Sequence, residues 1–291
     1  MPTDNVPMPP ALLWLTIAFA ACGLLATVLV AIKAWRNPPL LPYEPRRPVP
    51  WGPMDLLLVF LCFLALGYVA GQILIRFTGG RADGPPTAPE LNVNSAIELC
   101  GVAIAILIMR LNVGANRADL GFETKRVGRD IGVGAVAFLA SVVPIFALQA
   151  VLETWFEYRH PLIKALVAKP DAAMLVATSI AAVVAAPLFE ELIFRVLLQG
   201  WFEAVESRRR TMRQESPADG PAAWPIMLSA LLFSLMHLGQ GSAPIPLFFL
   251  AVVLGYIYQQ THRIWPSLTT HILLNSTSLL LLWWQIPLHK P

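Results

Sequence analysis

The 291-residue chain is 56% hydrophobic and only 13% charged, whereas a soluble globular protein carries charge on roughly a quarter of its residues. Its net charge of +3 is small, and its Lys and Arg fall between apolar runs, which gives nucleic-acid binding no support. A single soluble domain is therefore excluded, and the composition predicts an all-α, polytopic integral membrane bundle. Cys22, Cys62 and Cys100 each sit inside an apolar run without paired spacing, as core fillers do rather than disulfides or metal ligands.

Residues 1–10 carry no Lys or Arg, and residues 11–32 are long enough to span a bilayer and are followed by Lys33 and Arg36. They read as a retained span rather than a cleavable signal. Residues 37–53 hold too many prolines to continue a helix and carry Arg46 and Arg47, so an extended loop is expected. Spans follow at 54–77, 95–109 and 131–152. They are joined by a Gly/Pro-rich loop at 78–89 and a basic connector at 110–129 containing Leu120, Gly121 and Phe122. Glu98 stands near the start of the third span, where it can reach the interface. Residues 153–170 are mixed in charge and read as amphipathic.

Asp171 is positioned to cap a helix running to about residue 205. At 1.5 Å per residue this helix is on the order of 50 Å long, with Pro187 where it can bend. Residues 207–223 are basic, then Gly/Pro-rich, and read as a loop. Spans at 224–238, 245–260 and 264–284 make about eight in all. The Lys and Arg divide unequally between the two ends. One end takes Lys33, Arg36, Arg46, Arg47, Arg110, Arg117, Lys125, Arg126, Arg129, Arg208, Arg209, Arg210, Arg213 and Arg263. The other takes Arg76, Arg81, Arg159, Lys164, Lys169 and Lys290. The positive-inside rule makes the first end cytoplasmic and leaves both termini on the far side. Of the nine Trp, most, including Trp35, Trp51, Trp155, Trp201, Trp224, Trp265, Trp283 and Trp284, fall near span ends and fit an aromatic belt.

Inside this apolar frame, three polar groups of residues recur on separate helices. Glu191 and Arg195 are at i, i+4 and can neutralise each other, while Glu190, about 100° around the helix, is free to face a cavity. Phe233 and His237 share the spacing on the next span, and His271 and Asn275 on the last. Counted from the basic end, Glu190, His237 and Asn275 lie about 16–20 Å deep and His271 about 10 Å deep, so they can meet in one cavity, expected to open to the cytoplasm. Taken singly, each has a structural reading: a buried ion pair, or a helix-to-helix hydrogen bond of about 0.6 kcal/mol. Together, a carboxylate base, two imidazoles and an amide donor are the parts of water-mediated acyl hydrolysis. Intramembrane ionisable clusters read as functional by default.

The pattern Glu190-Glu191-xxx-Arg195, Phe233-xxx-His237 and His271-xxx-Asn275, in this order on successive apolar helices, resembles the CPBP family of intramembrane endopeptidases. These are the type II CAAX prenyl endopeptidases and lysostaphin-resistance-protein-like proteins. The resemblance covers about residues 172–282. It divides the chain into an N-terminal four-helix segment at 1–152 without recognised motifs and a catalytic core at 153–291 with its motifs within 187–275. It implies a multi-pass peptidase of the cell membrane, acting on membrane-associated peptide or protein substrates, prenylated or leader-type. Glu190 and His237 would activate water, His271 and Asn275 would stabilise the oxyanion, and Glu191, Arg195 and Phe233 would support them. No cofactor is required on this reading. The alternative is a zinc-dependent peptidase with Glu190, His237 and His271 as ligands, although none of the five His is followed by Glu as a His-Glu-xxx-His-type motif requires. Two readings of other classes are a non-catalytic immunity or scaffold protein and a transporter. A transporter would show interrupted helix pairs or inverted repeats, and none is evident.

Overall fold

The apolar runs fold as nine helices, with no strand among the described residues, in a computed structural model that describes residues 10–78, 84–156, 161–214 and 220–285. They are α1 (Pro10–Arg36), α2 (Pro53–Thr78), α3 (Ala88–Val113), α4 (Val127–Glu153), α5 (Pro161–Ala168), α6 (Ala172–Arg213), α7 (Trp224–Leu235), α8 (Pro244–Thr261) and α9 (Ile264–Gln285). Six of them, α1 to α4, α6 and α8, are long and apolar enough to cross a membrane, against the eight spans counted from the sequence. α7 has only 12 residues, about 18 Å of helix against a core of about 30 Å. α9 is long enough at 22 residues, but its Ser, Thr, His and Asn residues lower its apolarity. On the outer surface, α1 and α2 expose Leu15, Leu25, Phe60 and Leu61, as helices facing lipid do.

Several boundaries differ from the sequence reading, each for a local reason. α3 begins at Ala88, not at residue 95, because Thr87 and Glu90 form a capping box: the Thr87 backbone N–H donates to the Glu90 carboxylate at 2.6 Å and its hydroxyl at 2.8 Å. Pro89 in the first turn begins the helix rather than ending a loop. Asp171 caps α6 as expected, accepting from Met174 N–H at 2.7 Å. α6 then runs to Arg213, so Arg208 to Arg210 lie on the helix rather than in a loop. Pro187 marks no break. It sits in the short α-helical turn Ala186–Glu190 between two π-helical stretches, Ile180–Ala185 and Glu191–Gln199, whose wider turns accommodate its missing N–H. α7 stops at Leu235, and His237 therefore follows the helix instead of lying on it. The imidazole Nδ1 donates to the Phe233 carbonyl at 2.9 Å, satisfying one of the acceptors that a helix end leaves open. Arg81, Arg159, His160, His289 and Lys290 lie outside the described residues.

α4 is the central post, packed on α1, α8 and α9, while α2 pairs with α3, α3 with α6, and α7 with α8. The α4–α9 approach requires a glycine. A Cβ on Gly134 would meet the Pro266 carbonyl oxygen and come within 2.7 Å of Thr269 Cβ, and Thr270 Oγ1 donates to the Gly134 carbonyl at 2.9 Å. Gly134→Ala is expected to lower the melting temperature of the detergent-solubilised protein, by an overpacking penalty of about 1–3 kcal/mol. An unchanged melting curve would mean that the two helices can part without loss.

At the basic end, residues 37–52 form a strap across the bundle. Glu44 N–H donates to the Gln260 carbonyl at 2.9 Å, and its carboxylate meets Arg263, which also binds Asp130 through Nε at 2.7 Å and Nη2 at 2.9 Å. His262 takes a left-handed conformation (φ 50°), uncommon for a non-glycine residue. It is held there by the Glu44 carbonyl at 2.8 Å and the Glu203 carboxylate at 3.1 Å. Trp51, read from the sequence as part of the aromatic belt, is instead 0% exposed, and its indole N–H donates to the Leu197 carbonyl at 3.0 Å. It belongs to one buried cluster with Val49, Met109, Leu197, Tyr258 and Ile264. The hydrogen bond from Arg263 is the largest of the influences that hold the Glu44 carboxyl below its ordinary range. A depressed carboxyl stabilises the fold at every pH above its unfolded value and loses that contribution as pH falls through the folded one. The strap is therefore held through neutral pH and loosens only in acid, below the usual carboxylate range.

Candidate active site

Glu190 closes the central turn of α6, and two histidines from other parts of the chain turn the same ring atom toward it. His271 Nε2 stands 3.5 Å from Glu190 Oε2, and His237 Nε2 stands 3.9 Å from Oε1. The opposite nitrogens explain why. A carbonyl oxygen only accepts, so His237 Nδ1 carries the proton it donates to Phe233 O. Likewise His271 Nδ1 donates to Glu191 Oε1 at 3.0 Å. With both Nδ1 atoms committed as donors, each ring turns its Nε2 toward Glu190.

Glu191, the next residue, points away from Glu190 into the packed interior, as the 100° rotation requires. Both it and Arg195 are fully buried, with Arg195 Nε 3.6 Å from Glu191 Oε2. Arg195 also donates from Nη1 to Ser229 Oγ at 3.3 Å, and its guanidinium lies 5.1 Å from the centre of the Phe233 ring. The Phe233 ring, 0% exposed, stands 4.9 Å from the His237 ring and 6.1 Å from the His271 ring. Asn275 donates through Nδ2 to the Ala182 carbonyl in the first π-helical stretch at 2.8 Å, which leaves its second N–H and its carbonyl oxygen uncommitted there. π-helical turns often mark functional sites, and here one stretch carries Ala182 while the other begins at Glu191. All seven residues singled out in the sequence meet around one point.

That point is the inner end of a cavity of about 320 Å³ whose lining includes Glu190, His237, His271, Asn275 and Phe233. Glu98 of α3 lines it too, and the sequence reading that sent this side chain to the interface is corrected here. With α3 starting at Ala88, Glu98 lies three turns into the helix. The Thr-Ala-Pro-Glu capping box at 87–90 was the signal that could have located it.

Residues 172–277 match the family model of type II CAAX prenyl endopeptidase Rce1-like proteins. Over that stretch the chain is similar to this family. No curated protein and no solved structure matches the chain significantly. The matched stretch spans α6 to most of α9 and contains every motif residue above, and the match supports proteolytic activity in a membrane-embedded chain. Glu98 and the strap lie outside it.

The lining of the cavity does not lie toward the basic end, where the sequence suggested a mouth. Beyond the motif residues its lining comes from Leu91 and Asn94 near the start of α3, Leu162 on α5, Thr178 near the start of α6, and Ser278 and Leu282 near the end of α9. These positions share the end of the bundle with fewer cations. The basic end, where a cytoplasmic mouth was expected, is filled by the strap and the cluster around Trp51. Depth counted along separate helices gave the level of the site but could not tell which end was packed shut.

Proposed function

We propose that the chain is an intramembrane endopeptidase of the cell membrane that hydrolyses peptide bonds of membrane-associated substrates with a water activated at Glu190. The reading rests above all on the convergence of two histidine Nε2 atoms on one cavity-facing carboxylate. A water between Glu190 and His237 loses its proton to the carboxylate as its oxygen attacks the substrate carbonyl carbon. The carbonyl oxygen becomes an oxyanion, stabilised by the free N–H of Asn275 and by His271 when that ring carries a proton on Nε2. As the tetrahedral species collapses, the C–N bond breaks and the proton held by Glu190 passes to the leaving amine. Glu191 orients His271 through Nδ1, Arg195 balances the Glu191 charge, and Phe233 fixes His237 through its carbonyl and backs both imidazoles with its ring.

Two imidazoles and a carboxylate are donors that zinc accepts. Among the described residues no group of three His, Cys, Asp or Glu side chains that could hold a metal ion is found, and no step of the proposed reaction is drawn through zinc, which Glu190, His237 and His271 would be the residues to hold. A trapping experiment tests the proposal. Glu190→Ala should retain peptides that the parent chain cleaves, identifiable by mass spectrometry, and captured peptides that the parent leaves intact would overturn it.

A further inference from the structure

We infer that the connection between α3 and α4 holds an anionic phospholipid. A cavity at the basic end of the bundle takes the phosphate of the headgroup between Arg110 and Arg117, and its apolar wall takes the start of the acyl chains. The site shares no lining residue with the cavity at Glu190, and the inference stands whether or not the chain cleaves peptides.

The cavity has a volume of about 270 Å³. Ile106, Phe122 and Trp265 give it apolar surface, while Arg110, Arg117 and Thr124 give it donors, and no carboxylate lines it. Both arginines are exposed, and among the described residues neither lies within ion-pair distance of an acid. Their neighbours are occupied. Arg126 and Arg129 meet Glu44 at 3.1 and 3.7 Å, and the Asp119 carboxylate, two residues from Arg117, accepts from Asn116 N–H at 2.9 Å. The planar fork of arginine matches two phosphate oxygens at once, so a pair of guanidiniums lining one space suits a phosphate diester.

The surroundings select a lipid over a soluble anion. Arg110 lies in the last turn of α3, a helix long and apolar enough to cross a membrane, and Leu107 and Leu111 beside it are 55% and 75% exposed. Ile106 sits one turn deeper than Arg110 on the same face. A bound molecule therefore meets two cations where the span ends and apolar side chains one turn below them, which calls for an amphiphile with an anionic head. The wall is fixed in place. Trp265 Nε1 donates to the Glu123 carbonyl at 2.9 Å, Ile264 N–H donates to the Gly121 carbonyl at 3.0 Å, and the Phe122 and Trp265 rings meet edge to face with centroids 6.0 Å apart. Gly121 takes a left-handed φ of 73°, and a Cβ there would come within 3.2 Å of the Ile264 nitrogen. A phosphate shared by Arg110 and Arg117 thus ties the end of α3 to a connection that is itself bonded to the first turn of α9, the helix that carries His271.

The experiment titrates the purified full chain, in an uncharged detergent, with phosphatidylglycerol, phosphatidylcholine or inorganic phosphate while binding and melting temperature are followed. Phosphatidylglycerol should raise the melting temperature by about 2–4 °C, and the other two should leave it unchanged. Arg110→Gln combined with Arg117→Gln should weaken phosphatidylglycerol binding by about tenfold or more, as expected for two cations at a lipid surface. Because both side chains are exposed, the lipid-free melting temperature of this variant should match that of the parent. Arg36→Gln combined with Arg208→Gln removes the same charge from exposed positions on α1 and α6 and should bind as the parent does. Equal loss in the two double variants would make the effect one of general surface charge. A shift of the same size with inorganic phosphate would make the site one for a soluble anion. Either result, or a phosphatidylglycerol response that is absent or no greater than that to phosphatidylcholine, overturns the inference.

Discussion

Glu190→Gln should abolish turnover while leaving the amount of folded protein and its melting temperature close to those of the parent chain. Glu191→Gln, one residue away, should do the reverse in kind and lower the yield of folded protein. The amide at 190 keeps the shape of the side chain but cannot take a proton from water. Its nearest partners are imidazole Nε2 atoms at 3.5 and 3.9 Å, which an amide N–H can still meet. Glu191 has different obligations. It is fully buried, accepts from His271 at 3.0 Å and faces Arg195 at 3.6 Å. Neutralising it leaves a guanidinium uncompensated inside the bundle, and breaking a buried pair in this way costs about 3–5 kcal/mol. The same substitution frees the His271 ring, so whatever protein folds should also turn over slowly. Thermal melts and cleavage rates on the two variants decide the matter. Equal loss of stability in both would mean that the two carboxylates do not divide the work as argued.

The second large effect concerns Asn275 and the question of metal. Asn275→Ala should reduce kcat by about 10²–10³, the range seen when one oxyanion donor is removed, with little change in KM, because the donor acts on charge that exists only in the transition state. A structural role alone, through the bond to Ala182 O, would appear as lost stability with kcat preserved in the folded fraction. Measuring both quantities on one preparation separates the two roles. With a general base rather than a zinc centre, a strong chelator should leave cleavage unchanged and the purified protein should hold far less than one metal per chain. Activity lost to chelation and regained only with added zinc would replace the water-activation scheme by a metal-centred one.

How much of this was legible in the sequence depended on whether the signal was periodic. Glu191 with Arg195, Phe233 with His237, and His271 with Asn275 declare their shared faces by spacing alone, and the structure brings them together. Even so, the Phe233–His237 pair is formed by a cap beyond a helix end and not by a helical face. Glu98 was misjudged because a hydropathy run starts later than the helix does: Thr87, Pro89 and Glu90 are polar or helix-breaking in composition and helix-starting in position. The π-helical stretches had no legible marker, since Ile180–Ala185 and Glu191–Gln199 look like any apolar helix with a few polar residues. Trp51 shows a different limit. A tryptophan beside a charged loop reads as an interfacial anchor until a proline-rich strap folds back and buries it.

The strap also sets a timetable for the nascent chain. Glu44 finds Arg263 across 219 positions of sequence, and Glu191 finds His271 across 80. While the ribosome is still making α8, the carboxylates of α6 already exist but lack the imidazole from α9. The guanidinium that fastens the strap has not yet been added. A chain of this design stays chemically incomplete through most of its synthesis. On the function proposed above, its hydrolytic centre and its sealed basic end are completed together, when α9 enters the bundle.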